Sequence, residues 1–134
     1  MTYPTATHYS ENFSRRELDC HCGCDAPMSV ERNLTALAIE LERLRKQLGG
    51  TPLHVNSGYR CPAYNKRIGG ATYSQHMEGK AADLSGRKVM PLTIRDAANV
   101  VPSFRGGGIG LYDTFCHVDI RSTGTARWDL RAHK

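Results

Sequence analysis

The sequence predicts an α+β domain in which helices come first and a small antiparallel sheet packs against them. Three observations predict it. One long amphipathic stretch runs from Ser29 to Leu48, short strand-like runs separated by turns follow Gly49-Gly50, and the 134 residues are 40% hydrophobic. Such a length suits one domain of roughly 100–150 residues, with no internal repeat or low-complexity linker to divide residues 1–134. Helices and strands that are segregated along the chain, rather than alternating, separate α+β from parallel α/β architecture.

Taken in order, Ser14-Arg15-Arg16-Glu17 has the Ser-x-x-Glu form of a capping box and predicts a short helical turn. In the long stretch, Val30, Leu34, Leu37, Ala38, Leu41, Leu44 and Leu48 recur in steps of three and four, one face of a helix. Ser29 is its expected N-cap and Gly49-Gly50 its stop. The opposite face carries Glu31, Arg32, Glu40, Glu42, Arg43, Arg45 and Lys46, so this helix is scaffold. Leu53-His54-Val55 reads as a strand leading into Ser57-Gly58-Tyr59-Arg60. Pro62 suits the first position of a short helix reaching about Arg67. Ala81 to Leu84 reads as a strand, Leu92 to Val101 as a second helix, and Gly108 to Tyr112 pairs with Phe115 to Ile120 across a turn at Asp113-Thr114.

The net charge of +5 and a pI near 9.1 favour an acidic partner, either nucleic acid or an anionic wall polymer. The basic residues are scattered in ones and twos, and no aromatic stacking array accompanies them. That pattern excludes a basic nucleic-acid tail. No apolar run approaches the ~20 residues of a membrane span. Met1 to Glu11 shows no secretory leader, so the chain is expected to be made in the cytoplasm and to reach an external substrate only after release.

Cysteines stand at 20, 22, 24, 61 and 116. An odd number without a leader argues against a complete disulfide framework. Cys20-His21-Cys22-Gly23-Cys24 admits two readings: a structural zinc site, or small hydrophobes on one side of an extended strand. Zinc ligands are usually separated by two to four residues and need a second pair elsewhere, so the packing reading is preferred.

Chemistry concentrates in two segments. In Ser74-Gln75-His76-Met77-Glu78-Gly79-Lys80-Ala81-Ala82-Asp83, the glycine interrupts any continuous helix. His76 and Asp83 can therefore converge only as a loop residue and a strand residue running back past it. In Phe115-Cys116-His117-Val118-Asp119, alternation puts Phe115, His117 and Asp119 on one strand face. A histidine and a carboxylate side by side on an apolar strand need partners. They are either a hydrogen-bonded structural pair or part of a metal site, and the residues alone leave both open.

Ser74-x-His76-x-x-Gly79-x-Ala81-x-Asp83 followed by His117-x-Asp119 resembles the zinc D-Ala-D-Ala carboxypeptidase and L-Ala-D-Glu endopeptidase family. That family includes phage endolysins, vancomycin-resistance dipeptidases and periplasmic murein endopeptidases, and hedgehog signalling domains share its fold. Ser57-Gly58-Tyr59-Arg60 and Gly108-Ile109-Gly110-Leu111-Tyr112 match as well, so the resemblance covers roughly Pro52 to Trp128. It implies a zinc peptidase of the peptidoglycan stem peptide, an endolysin-like endopeptidase acting as a monomer at the wall. A D-Ala-D-Ala carboxypeptidase or a non-catalytic zinc module is the alternative. It also implies zinc ligation by His76, Asp83 and His117, substrate contact by Arg60 and a hydrogen bond from Ser74 near the ligand loop. Many members place an acidic base three positions before the last zinc histidine, where this chain has Thr114. The expected base is then Asp119, ahead of Asp113 and, more distantly, Glu78.

Overall fold

A computed structural model describes residues 2–132. Ser14 caps a one-turn helix, α1 (Arg15–Leu18), in a complete capping box with Glu17. Ahead of it, β1 (His8–Ser10) and β2 (Phe13–Ser14) form a small antiparallel pair that the sequence pattern did not predict. The amphipathic stretch is α2 (Met28–Gln47), which buries Val30, Leu34, Leu37, Ala38, Leu41 and Leu44. It starts after the extended Pro27 rather than at a Ser29 cap. At its other end, the amides of Leu48, Gly49 and Gly50 return to carbonyls of the last turn.

The main sheet has five strands: β3 (His54–Ser57), β4 (Ala81–Ser85), β5 (Gly108–Leu111), β6 (Cys116–Asp119) and β7 (Ala126–Asp129), in spatial order β3-β4-β6-β5-β7. The first three pairings are antiparallel, whereas β7 joins the β5 edge in parallel. Between β3 and β4 lie α3 (Pro62–Arg67) and a 3₁₀ turn, Gln75–Glu78. The second predicted helix, Leu92 to Val101, is α4 (Pro91–Ala98), and a one-turn helix that was not expected, α5 (Pro102–Arg105), follows it. The break between the two has a local cause: a residue before proline is driven out of the helical region, and Val101 is extended at φ −89°, ψ 114°.

One face of the sheet supplies Val55, Ala82, Leu84, Ile109, Cys116 and Val118 to the core, packed with α2, α4 and α5. Alternation then sends Asp83, His117 and Asp119 to the other face. Gly79 sits at φ +72° against α2, where an added Cβ would lie 2.8 Å from the Val30 carbonyl. Only glycine fits that left-handed position, and its turn reverses the chain from His76 into β4. No helix among the described residues is long and apolar enough to cross a membrane.

Candidate metal centre

Register builds the centre. Asp83 on β4 pairs with His117 on β6, Gly110 pairs with His117 from the other side, and Trp128 on β7 pairs with Gly110. These residues form one row across the sheet. His76 enters from the 3₁₀ turn, which Ser74 caps by accepting a hydrogen bond from the His76 amide at 3.1 Å. His76 Nε2 and His117 Nδ1 lie 3.2 Å and 3.1 Å from the same oxygen, Asp83 Oδ1. All three residues are buried, and one ligand atom from each falls within 4.8 Å of the others.

The outer ring nitrogens are committed elsewhere. His76 Nδ1 is 2.7 Å from the Gly58 carbonyl, which can only accept, so Nδ1 carries the proton. His117 Nε2 is 2.7 Å from Asp119 Oδ2 and donates to it in the same way. In the neutral imidazoles, both inner nitrogens are therefore lone pairs aimed at a carboxylate oxygen. Three acceptors pointing at one another repel unless a proton or a cation sits among them. Burial pushes His76 toward the neutral form. Burial also pulls His117 down, but the Asp119 and Asp83 carboxylates outweigh it and raise its pKa. Burial opposes ionisation of Asp83, yet His117 and His76 hold its carboxyl well below the usual range.

The donor set fits zinc. Two imidazole nitrogens and one carboxylate oxygen form a three-ligand set that leaves a fourth position open. Tetrahedral bonds of about 2.0–2.1 Å place ligand atoms about 3.3 Å apart, close to the separations observed here. The site opens into a cavity of ≈ 550 Å³ lined by Arg60, Ser74, Tyr112, Phe115, Arg121 and Trp128 together with the three ligands.

Arg60 lines this cavity but is also tied into the site's support. Nε donates to Ser57 Oγ at 3.0 Å, and the terminal nitrogens reach Asn65 Oδ1 at 3.4 Å and Asp83 Oδ2 at 3.2 Å. It therefore holds the oxygen of Asp83 that does not face the histidines.

Asp119 differs most from its expected place. It is fully buried and is absent from the cavity lining, on the far side of His117 from the ligand atoms. Its Oδ1 accepts from the Gly108 amide at 2.8 Å and from the Arg121 amide and Nε at 3.1 and 2.9 Å. Oδ2 accepts from His117 and, at 2.7 Å, from a terminal nitrogen of Arg121. Burial works against ionisation, but Arg121 and His117 keep the carboxyl far below its ordinary pKa. A general base needs a lone pair within reach of the reacting proton, and here every accessible direction is taken. Asp113 is exposed, and both its oxygens accept from the Ala132 amide at 3.1 Å. Glu78 is exposed too, and neither residue lines the cavity.

Sequence reasoning passed over Arg121 and Trp128. Arg121 lies two residues beyond Asp119, a spacing that alternation could have placed beside it, and its guanidinium sits 5.6 Å over the Trp128 ring. The Trp128 ring lies 4.9 Å from that of His117, and its Nε1 donates to the Tyr112 hydroxyl at 3.0 Å. Nothing in Ala126-Arg127-Trp128-Asp129 reveals that this half-exposed edge strand returns to the site.

Comparison with known proteins agrees with this arrangement. The zinc D-Ala-D-Ala carboxypeptidase of Streptomyces albus G is 34% identical over 79 residues, covering 54% of this chain and 31% of that protein. The chain thus matches less than a third of that curated relative's length. A family model described as peptidase M15 matches residues 8–119, which extends the likeness upstream of the metal centre to β1. Since that match takes in most of the chain and all three converging ligands, the chain belongs to the peptidase M15 family.

Proposed function

We propose that this chain is a zinc peptidase that hydrolyses a peptide bond of the peptidoglycan stem, with L-Ala-D-Glu endopeptidase specificity. The observation that carries the reading is the convergence of His76 Nε2, His117 Nδ1 and Asp83 Oδ1, buried at the base of an open cavity. These three would hold the ion. Zinc supplies Lewis-acid polarisation of a carbonyl and makes water acidic enough to attack near neutral pH.

The protein's own contribution is orientation. The Gly58 carbonyl keeps the proton of His76 on Nδ1, and Asp119 keeps that of His117 on Nε2, so the ligand nitrogens face inward. Asp119 is accordingly a positioning carboxylate held by Arg121, and not the base that its place on the strand suggests. Arg60 steadies Asp83 and borders the cavity, where its cationic fork suits a substrate carbonyl. Trp128 and the stacked Tyr112–Phe115 pair, 4.3 Å between centroids, give the cavity a flat apolar wall.

Endopeptidase specificity is favoured because both guanidiniums of the cavity, Arg60 and Arg121, are already paired with buried carboxylates. Little positive charge is left to capture a free terminal carboxylate. The Streptomyces relative favours the second reading, a D-Ala-D-Ala carboxypeptidase. The net charge of +5 suits an anionic wall polymer, and that substrate places the work at the wall or in the periplasm. Purified peptidoglycan digested with the zinc-loaded protein, and analysed by mass spectrometry, tests the proposal. Stem fragments cut after L-Ala, lost on chelation, are expected. Release of D-Ala alone selects the carboxypeptidase, and absence of any product overturns both.

A further inference from the structure

A second cluster lies outside the cavity. The sulfurs of Cys20, Cys22, Cys24 and Cys61 all fall within 4.8 Å of one another. Cys20 to Cys24 occupy an irregular loop between α1 and α2 instead of the expected strand, and Cys22 and Cys24 are exposed. Cys20 alone of the three is buried in the core, so they do not pack together as small hydrophobes on one strand face. Close Cys-x-Cys-x-Cys spacing in a loop turns all three thiols toward one point, and the distant Cys61, at the N-cap of α3, provides the fourth.

We propose that these four cysteines bind a structural zinc ion, independent of the site at His76, Asp83 and His117. The size of the cage supports it. Tetrahedral Zn–S bonds of about 2.3 Å set sulfurs about 3.8 Å apart, and Cys20–Cys22 and Cys22–Cys61 stand at 3.3 and 3.7 Å. Those separations far exceed the roughly 2.05 Å of a disulfide. The backbone is arranged for thiolates: the Cys61 amide donates to Cys20 Sγ and the Tyr64 amide to Cys61 Sγ, each at 3.4 Å. Hydrogen bonds to the charged form favour it. Thiolates crowded this closely repel one another, and a soft-ligand divalent cation removes that repulsion on binding, releasing the thiol protons to solvent.

The placement gives the ion a structural purpose. The Cys20 loop lies against the β3–α3 segment, where the Tyr59 amide donates to the Leu18 carbonyl at 2.7 Å. That segment carries Gly58, which orients His76, and Arg60, whose amide donates to the His76 carbonyl at 3.0 Å. Zinc at the four thiolates would clamp the N-terminal elements to the strand exit that supports the first site.

Protein purified under reducing conditions without chelator should carry about two zinc equivalents per chain, one per site. Cobalt substitution separates the sites without any mutation, because the His76–Asp83–His117 site contains no sulfur. Near-ultraviolet thiolate-to-cobalt charge-transfer bands are expected in the wild type and in His76→Ala, and their loss in Cys24→Ser. Thermal unfolding should also shift down in Cys24→Ser. A fully loaded wild type with about one equivalent, no charge-transfer band and freely alkylated Cys22 and Cys24 overturns the proposal. So does a disulfide among the four, seen by peptide mass mapping.

Discussion

Asp119→Asn distinguishes a positioning carboxylate from a catalytic base. The exchange conserves shape and removes charge. In the wild type, donors from Gly108, His117 and Arg121 converge on two carboxylate oxygens of a fully buried group. An amide has only one acceptor atom, so the donors facing its nitrogen lose their partner. In the least costly orientation, the amide nitrogen replaces Oδ2, which faces His117 and one terminal nitrogen of Arg121. Neutralising one partner of a buried pair costs about 3–5 kcal/mol. Arg121 is 21% exposed, so water recovers part of that. A loss of about 2–4 kcal/mol in urea unfolding is expected. Freed from Asp119, the His117 ring also loses its fixed tautomer, and zinc affinity measured by chelator competition should fall about 10–100-fold. Turnover at saturating zinc should then recover in large part. A variant with wild-type stability and zinc affinity but turnover reduced by orders of magnitude would refute the positioning role and restore Asp119 as the base.

Other outcomes follow from particular contacts. Gly110→Ala places a Cβ 2.2 Å from the Trp128 ring; displacing that ring should cost about 1–3 kcal/mol and shift the fluorescence of the chain's single tryptophan, and an unchanged spectrum would contradict the close packing of β7. Glu42 accepts from Ser10 Oγ at 2.6 Å and from the Asn12 amide and side chain at 2.7 Å, tying the β1–β2 turn to α2; Glu42→Ala should lower unfolding stability by about 1–3 kcal/mol, with protease nicking near residue 11 as the visible sign. Metal-free protein should lose stability in acid. Asp83 and Asp119 have folded pKa values depressed below their unfolded ones, so their contribution is present above the ordinary carboxylate range and is lost as pH falls through ~4 and below. A urea midpoint that stays flat from about pH 5 to pH 3 would contradict that sign, and Asp119→Asn should make the dependence shallower.

Whatever depends on near neighbours along the chain was legible in the amino-acid sequence. Periodicity located α2 to within a residue or so, the Ser14–Glu17 box named its own turn, and Pro62 opened α3 because a proline amide is not missed there. The sequence also supplied candidate nitrogen and oxygen donors in His76, Asp83 and His117, which the family resemblance, and not their spacing, pointed to as a metal site. Tertiary structure decided what depends on register between distant segments. Pairing of Asp83 with His117 turned two motifs into one site, while the same strand geometry sent Asp119 behind His117, where Arg121 and Gly108 consume its lone pairs. The parallel return of β7 brought Trp128 into the wall of the cavity. Cys61 joined Cys20, Cys22 and Cys24 across 36 or more intervening positions of the sequence. Local propensity and spacing carry no information about such meetings, because they are set by how the whole chain packs and which side chains that packing leaves face to face.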